Sequence, residues 1–179
     1  MREFSLGGFA EFLASAAIAG AEKKAKRTAL EIGARMVRDE ARSALGTYRY
    51  QWPQLAQATQ DDRVQLGFSA NEPGLRTGAM RDSIEYTIIS SEEAEIGSND
   101  DNMVYFELGT NTQPPRPTLT TAAIRRGQDV ADIAGFLVGS AVAGHSVDGE
   151  ILKIAGHALH DLKESAKRVL ENSDDESNK

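Results

Sequence analysis

Between Ala21 and Leu45 the chain carries one unbroken stripe of small apolar residues, and that stripe constrains everything around it. Leu30, Ala34, Val37, Ala41 and Ala44 fall at i, i+4, i+7, i+11 and i+14, the spacing of one helical face. Gly46 follows where a left-handed residue would end the helix. A helix with one apolar face must bury it against another element. Alanine makes that face shallow, so the cover must come close.

The cover is found where the period changes from helical to alternating. Ile84, Tyr86 and Ile88 share one face, Ala94 and Ile96 another, and Val104, Phe106 and Leu108 a third. Ser90-Ser91 and the polar run Ser98 to Asn102 separate them as turns. These three runs predict an antiparallel meander with one apolar face, packed on the long helix. Glu3 to Leu6 adds a short strand, turned at Gly7-Gly8, before a helix that starts at Phe9 and breaks near Gly20. Residues 46–79 read mostly as loop.

Pro114-Pro115-Arg116-Pro117 enforces an extended segment, and Thr118 is placed to cap a helix from Leu119. Beyond Gly127, Val130, Ile133, Ala134 and Leu137 keep helical register, though Gly135 and Gly139 weaken the pattern unless another backbone packs closely there. Residues 144–149 form a linker, and Asp148 is placed to cap a last helix over about 150–170. The fold class expected is α+β: a long amphipathic helix on a small antiparallel sheet, with C-terminal helices. Three segments are expected: a core over 1–127, a helical extension over 128–171 and a disordered acidic tail over 172–179.

Composition narrows the chemistry. The 179 residues include no cysteine, which removes disulfides, thiolate metal sites and cysteine nucleophiles. A net charge of −7 argues against a general nucleic-acid binder, because phosphate binding relies on cationic surface. Phe9 to Ala21 is apolar, but Glu3 and Glu11 suit an amphipathic helix better than a signal peptide. Ile133 to Ala143 falls short of the ~20 residues that span a bilayer, so a soluble protein is expected.

Of the three histidines, His157 and His160 lie one helical turn apart beside Asp161, while His145 sits in a glycine-flanked loop. Two helix histidines without further ligands or a second shell do not make a zinc site. No serine sits in a nucleophile elbow and no glycine loop carries the Lys-Ser/Thr of a nucleotide cradle. The chain is therefore expected to be no enzyme and to hold no cofactor or metal.

Charge distribution says more. From Lys23 to Arg49 there are eight basic residues against three acids, whereas from Asp82 to Glu107 there are eight acids and no base. The helix is basic and the sheet acidic. Opposite poles permit head-to-tail association, which makes a ring where the rotation closes; a locally balanced surface is the alternative.

Several stretches, in order, resemble one family. Glu3 to Leu13, with its Phe-Ser-Leu-Gly-Gly opening, is similar to the start of head–tail joining proteins of long-tailed bacteriophages. Leu75, Thr77, Gly78 and Arg81, ahead of Ile84, resemble that family's entry into its sheet. Ile96-Gly97-Ser98 followed by Tyr105, Glu107, Gly109 and Thr110 resembles its paired strands ending in a Gly-Thr turn. Pro115, Arg116, Pro117 and Leu119 resemble its approach to a helix, and Trp52-Pro53-Gln54-Leu55 with Thr59 is similar to related virion-morphogenesis proteins. The likeness covers roughly residues 3–127.

The resemblance implies a virion structural protein, assembled in the host cytoplasm. It would form a homo-oligomeric ring, six copies favoured, in the neck or at the head-proximal end of the tail. Its neighbours would be a portal or head-completion protein on one side and a tail-terminator or tail-tube protein on the other. DNA would only pass through the lumen, and no membrane is involved. Arg116, held on a stiff proline arm, would pair with a carboxylate of a neighbouring subunit or within its own chain. The alternatives are another phage structural role, as tail terminator or minor capsid component, or a cytoplasmic protein-interaction module.

Overall fold

The helical stripe and the alternating runs translate into elements largely where they stand. The computed structural model describes residues 6–146 and Asp148, with side chains from Ala19 onward. In chain order these are α1 (Leu6–Ala44), α2 (Gln57–Gln65), α3 (Ala79–Asp82), β1 (Ile84–Ile88), β2 (Ala94–Ser98), α4 (Asp101–Leu108) and α5 (Leu119–Val142). The architecture is α+β.

Two compact units divide the chain. One comprises Lys26–Gly135; the other takes the described residues up to Ala25 and from Phe136 onward. In the latter, Ala25, Leu137 and Ala141 are buried, and Lys24 pairs with Asp148 at 2.9 Å. The boundary expected between residues 127 and 128 falls inside α5, one helix across both positions. The expected helix over 150–170, with His157 and His160, and the acidic tail lie outside the described residues.

The first unit holds the core. Val37, Ala41, Ala44, Leu45, Trp52, Ile84, Met103, Phe106 and Ala122 are buried together, with Tyr48, Tyr50, Met80 and Ile96 packed against them. The sheet is antiparallel, Ile84 opposite Ser98 and Ile88 opposite Ala94. Ile84, on its apolar face, has no exposure. Glycine permits one close approach: a Cβ on Gly33 would stand 2.6 Å from Val130, so α1 and α5 nearly touch there. Gly135 and Gly139 have nothing within 4 Å of a Cβ, yet α5 runs through both.

Four expectations are corrected. The sheet has two strands rather than three, because Asp101–Leu108 is helix. The Asp100 carboxylate accepts from the Asn102 backbone N–H at 2.9 Å, an N-cap, and Met103 and Phe106 bury one turn apart. Period 2 and period 3.6 both fit so short an apolar run, and the cap decides. Helix α1 runs through Gly7, Gly8 and Gly20, replacing the expected turn and break; residues 3–5 lie outside the described residues. At ~1 kcal/mol, Gly20 cannot interrupt a run rich in alanine. Within 46–79, α2 forms where a loop was expected, with the Arg63 guanidinium buried against the Ser69 and Leu75 carbonyls. Finally, Thr118 precedes α5 but does not cap it; its hydroxyl donates to the Arg116 carbonyl.

Candidate functional site

The residue that caps α5 comes from α4. Glu107 accepts from three successive backbone N–H groups: Oε2 from Thr118 at 2.5 Å and from Leu119 at 3.0 Å, and Oε1 from Thr120 at 3.0 Å. A helix leaves its first N–H groups unpaired, and its dipole favours negative charge there. The carboxylate answers both requirements and ties α4 to α5.

Between these helices the chain must reverse. Gly109 ends α4 at φ +76°, and a Cβ there would lie 2.7 Å from the Pro115 nitrogen and 2.8 Å from the Gln113 carbonyl oxygen. Thr110 closes the turn, its N–H donating to the Gln113 carbonyl at 2.8 Å and its hydroxyl accepting from the Gln113 N–H. Pro115 is exposed on this turn, while the Pro117 carbonyl accepts from Trp52 Nε1 and the Thr121 hydroxyl.

Arg116 does not stand out on a stiff arm. It is 4 % exposed, its Nη2 donates to the Pro53 carbonyl at 3.0 Å, and its guanidinium lies over the Phe106 ring. It pairs within its own chain, with backbone carbonyls rather than a carboxylate. Burial lowers its pKa from the ordinary arginine value. The proline segment turns the side chain inward because Trp52 and Phe106 offer a ring floor and the Trp52-Pro53-Gln54 segment exposes unpaired carbonyls.

Glu107, Gly109, Thr110, Pro115, Arg116 and Pro117 thus converge on one knot. The other motif residues do not join it. Thr77 and Gly78 form the turn before α3, Gly78 at φ +91° and the Thr77 hydroxyl accepting from the Ala79 N–H. Leu75 sits against Gly46, where a Cβ would meet it at 2.7 Å. Arg81 bonds its neighbour Asp82 at 2.9 Å. Tyr105 faces solvent, flanked on α4 by the exposed Val104 and Leu108.

The densest charge cluster lies elsewhere, around a glutamate that sequence reasoning passed over. Glu40 projects from α1 with its side chain 2 % exposed. Three arginines surround it, Arg49 at 3.1 Å, Arg125 at 3.3 Å and Arg126 at 2.9 Å, and the Tyr50 hydroxyl donates to it at 3.0 Å. Burial works to raise its pKa; the Tyr50 and Arg126 hydrogen bonds and the charges of Arg49 and Arg126 outweigh that, and the net shift is downward. Tyr50 is pushed up to about 12, by burial first and then by its bond to the Glu40 carboxylate. Beside Glu40 opens a cavity of about 400 Å³, lined also by Met36, Asp39, Ser43, Arg49 and Arg126. The signal was legible: Glu40 flanks the apolar stripe one position before Ala41, and a charge at the edge of a buried face needs partners.

Among the described residues, no three His, Asp or Glu side chains converge as metal ligands, and no helix is long and apolar enough to cross a membrane. No family model, curated protein or solved structure matches the chain.

Proposed function

We propose that the chain is a structural subunit of a tailed-phage neck or tail end, which joins tail to head as part of a homo-oligomeric ring. The observation that supports this best is the α4–α5 knot. Six residues of the resembling motifs, spread from Glu107 to Pro117, act together as helix cap, reversal and anchor. These motif residues therefore share a structural purpose, which supports reading them as one scaffold. Against the reading stands α4, which is helix where the resemblance implies a strand.

In this reading an acidic lumen would suit DNA in transit, because negative charge avoids adhesion to the phosphate backbone. Virion localisation and contacts with portal- and tail-side rings belong to the same proposal. The test is electron microscopy of an induced lysate whose copy of this gene carries an early stop codon. Filled heads and finished tails lying unjoined are expected. Tails that fail to terminate would point instead to a terminator role, and intact infectious particles would overturn the reading in favour of an interaction module.

A further inference from the structure

The cluster around Glu40 holds more positive charge than it neutralises. Glu40 and Asp129 oppose Arg49, Arg125 and Arg126, two charges against three. Asp39, which also lines the cavity, is paired with Arg38. The side chains of Arg49 and Arg125 remain 37 % and 52 % exposed, so they can take another anionic partner without leaving Glu40. Met36 gives the cavity an apolar wall.

The complement lies on the same chain, at the turn joining β1 to β2. Glu85 and Glu92 are occupied by Arg42 and Lys26. Glu93 and Glu95 are exposed and have no side-chain partner among the described residues, and Ile89 beside them is 55 % exposed. An acidic tip with one apolar residue fits the exposed Arg49, with Arg125 next to it, at a cavity that has one apolar wall.

Geometry forbids the two from meeting within one copy. Met36, Glu40 and Ser43 share one face of α1 by their i, i+4, i+7 spacing. The sheet sits on the other side, where Arg38 lies over the Tyr86 ring and Arg42 donates to the Ile84 carbonyl. At 100° per residue the two faces diverge by roughly 145°. Cavity and hairpin therefore point apart, and any contact between them is head-to-tail.

We infer that the cavity beside Glu40 receives the β1–β2 turn of a second copy, with Glu93 and Glu95 on Arg49 and Arg125 and Ile89 against Met36. This rests on the ring reading and names its joint. Such a contact is heterologous, and repeats into a ring or a filament. Most of its strength is exposed ion pairing, so it weakens steeply with salt.

The test uses the full chain and sedimentation velocity in low salt. Wild type is expected to self-associate. Glu93→Lys/Glu95→Lys is expected to sediment as one copy of 19.3 kDa, and so is Arg49→Gln/Arg125→Gln. Mixed, the two variants are expected to form a dimer that grows no further, because one keeps an intact cavity and the other an intact hairpin. Should the arginine variant fail to fold, the glutamate variant added to wild type is expected to cap assembly and shorten it. Assembly by the glutamate variant equal to wild type overturns the inference while leaving the ring reading standing. Wild type that stays a single copy in low salt overturns the inference too, and the stop-codon lysate then decides the reading separately.

Discussion

Replacing Glu40 by Gln keeps the shape of the cluster and removes its central charge, which makes it the sharpest test of how α1 and α5 are joined. Removing one partner of a buried ion pair typically costs 3–5 kcal/mol, since the other charge is stranded. Here the stranded groups are arginines 37 % to 52 % exposed, which can turn toward water. That lowers the expectation to about 1–3 kcal/mol. Trp52 reports the transition without labelling: it is the only tryptophan, is buried, and stands edge-on to both Tyr50 and Phe106 at 5.4 Å. With a urea slope of 1–3 kcal/mol per molar, the midpoint should fall by roughly 1 M at unchanged slope.

The sign of the pH dependence follows from the direction of the Glu40 shift. Its folded pKa lies below the ordinary 4.5, so the charged carboxylate stabilises the fold above that value. The contribution is lost as pH falls through the folded value. Wild type and Glu40→Gln should therefore differ fully at pH 7 and converge only as the pH falls below 4.5 and through the folded value. A double-mutant cycle with Arg126→Gln should show coupling of 0.5 kcal/mol or more. A Glu40→Gln midpoint within error of wild type at pH 7, with no coupling, would refute the idea that this carboxylate holds the helices.

Three further outcomes follow from the same contacts. In a spectrophotometric titration one of the four tyrosines should ionise late, near pH 12, and that component should vanish in Tyr50→Phe; because the folded pKa is raised, stability is complete below about pH 10 and lost between pH 10 and 12. Glu107→Ala removes the acceptor of three N–H groups at the start of α5 and should cost about 2 kcal/mol in the same urea assay, a loss under 0.5 kcal/mol being incompatible with the cap. Gly109→Ala combines a left-handed φ with backbone atoms under 3 Å from the new Cβ, and should cost 1–3 kcal/mol or more, whereas Ala at Gly67, equally left-handed but with open space around it, should cost less.

How far the sequence could be read depended on the length of each pattern. The long helix and both strands were legible because five stripe residues on α1, and three alternating positions on β1, leave one period that fits. Val104 to Leu108 was too short for that, and the deciding groups were Asp100 and Asn102, which looked like turn residues until one of them became a cap. Glu107 was singled out by resemblance, but its role depends on residues eleven to thirteen positions away, a distance no local pattern reports. Glu40 was visible as a charge at the edge of the stripe; its partners Arg125 and Arg126, 86 residues off in the case of Arg126, were not.

The arginines show why the charge reading was only half informative. Counted along the chain, Arg42 and Arg49 belong to a basic pole, Arg116 stands on a proline arm awaiting a carboxylate, and nothing marks Arg63. In the fold, Arg42 fastens strand β1 through the Ile84 and Asp82 carbonyls, Arg63 holds the Ser69 and Leu75 carbonyls, and Arg116 holds Pro53. Each guanidinium satisfies backbone groups that a loop would otherwise leave unpaired, and its planar fork does so with little added loss of rotamer freedom. A chain with only 6 % aromatic residues and an alanine-lined helix cannot pin its loops with large side chains; the forks do that instead. Lysine at these positions keeps the formal charge but not the fork. If charge alone mattered, Arg116→Lys would be neutral, whereas the fold requires it to lose stability.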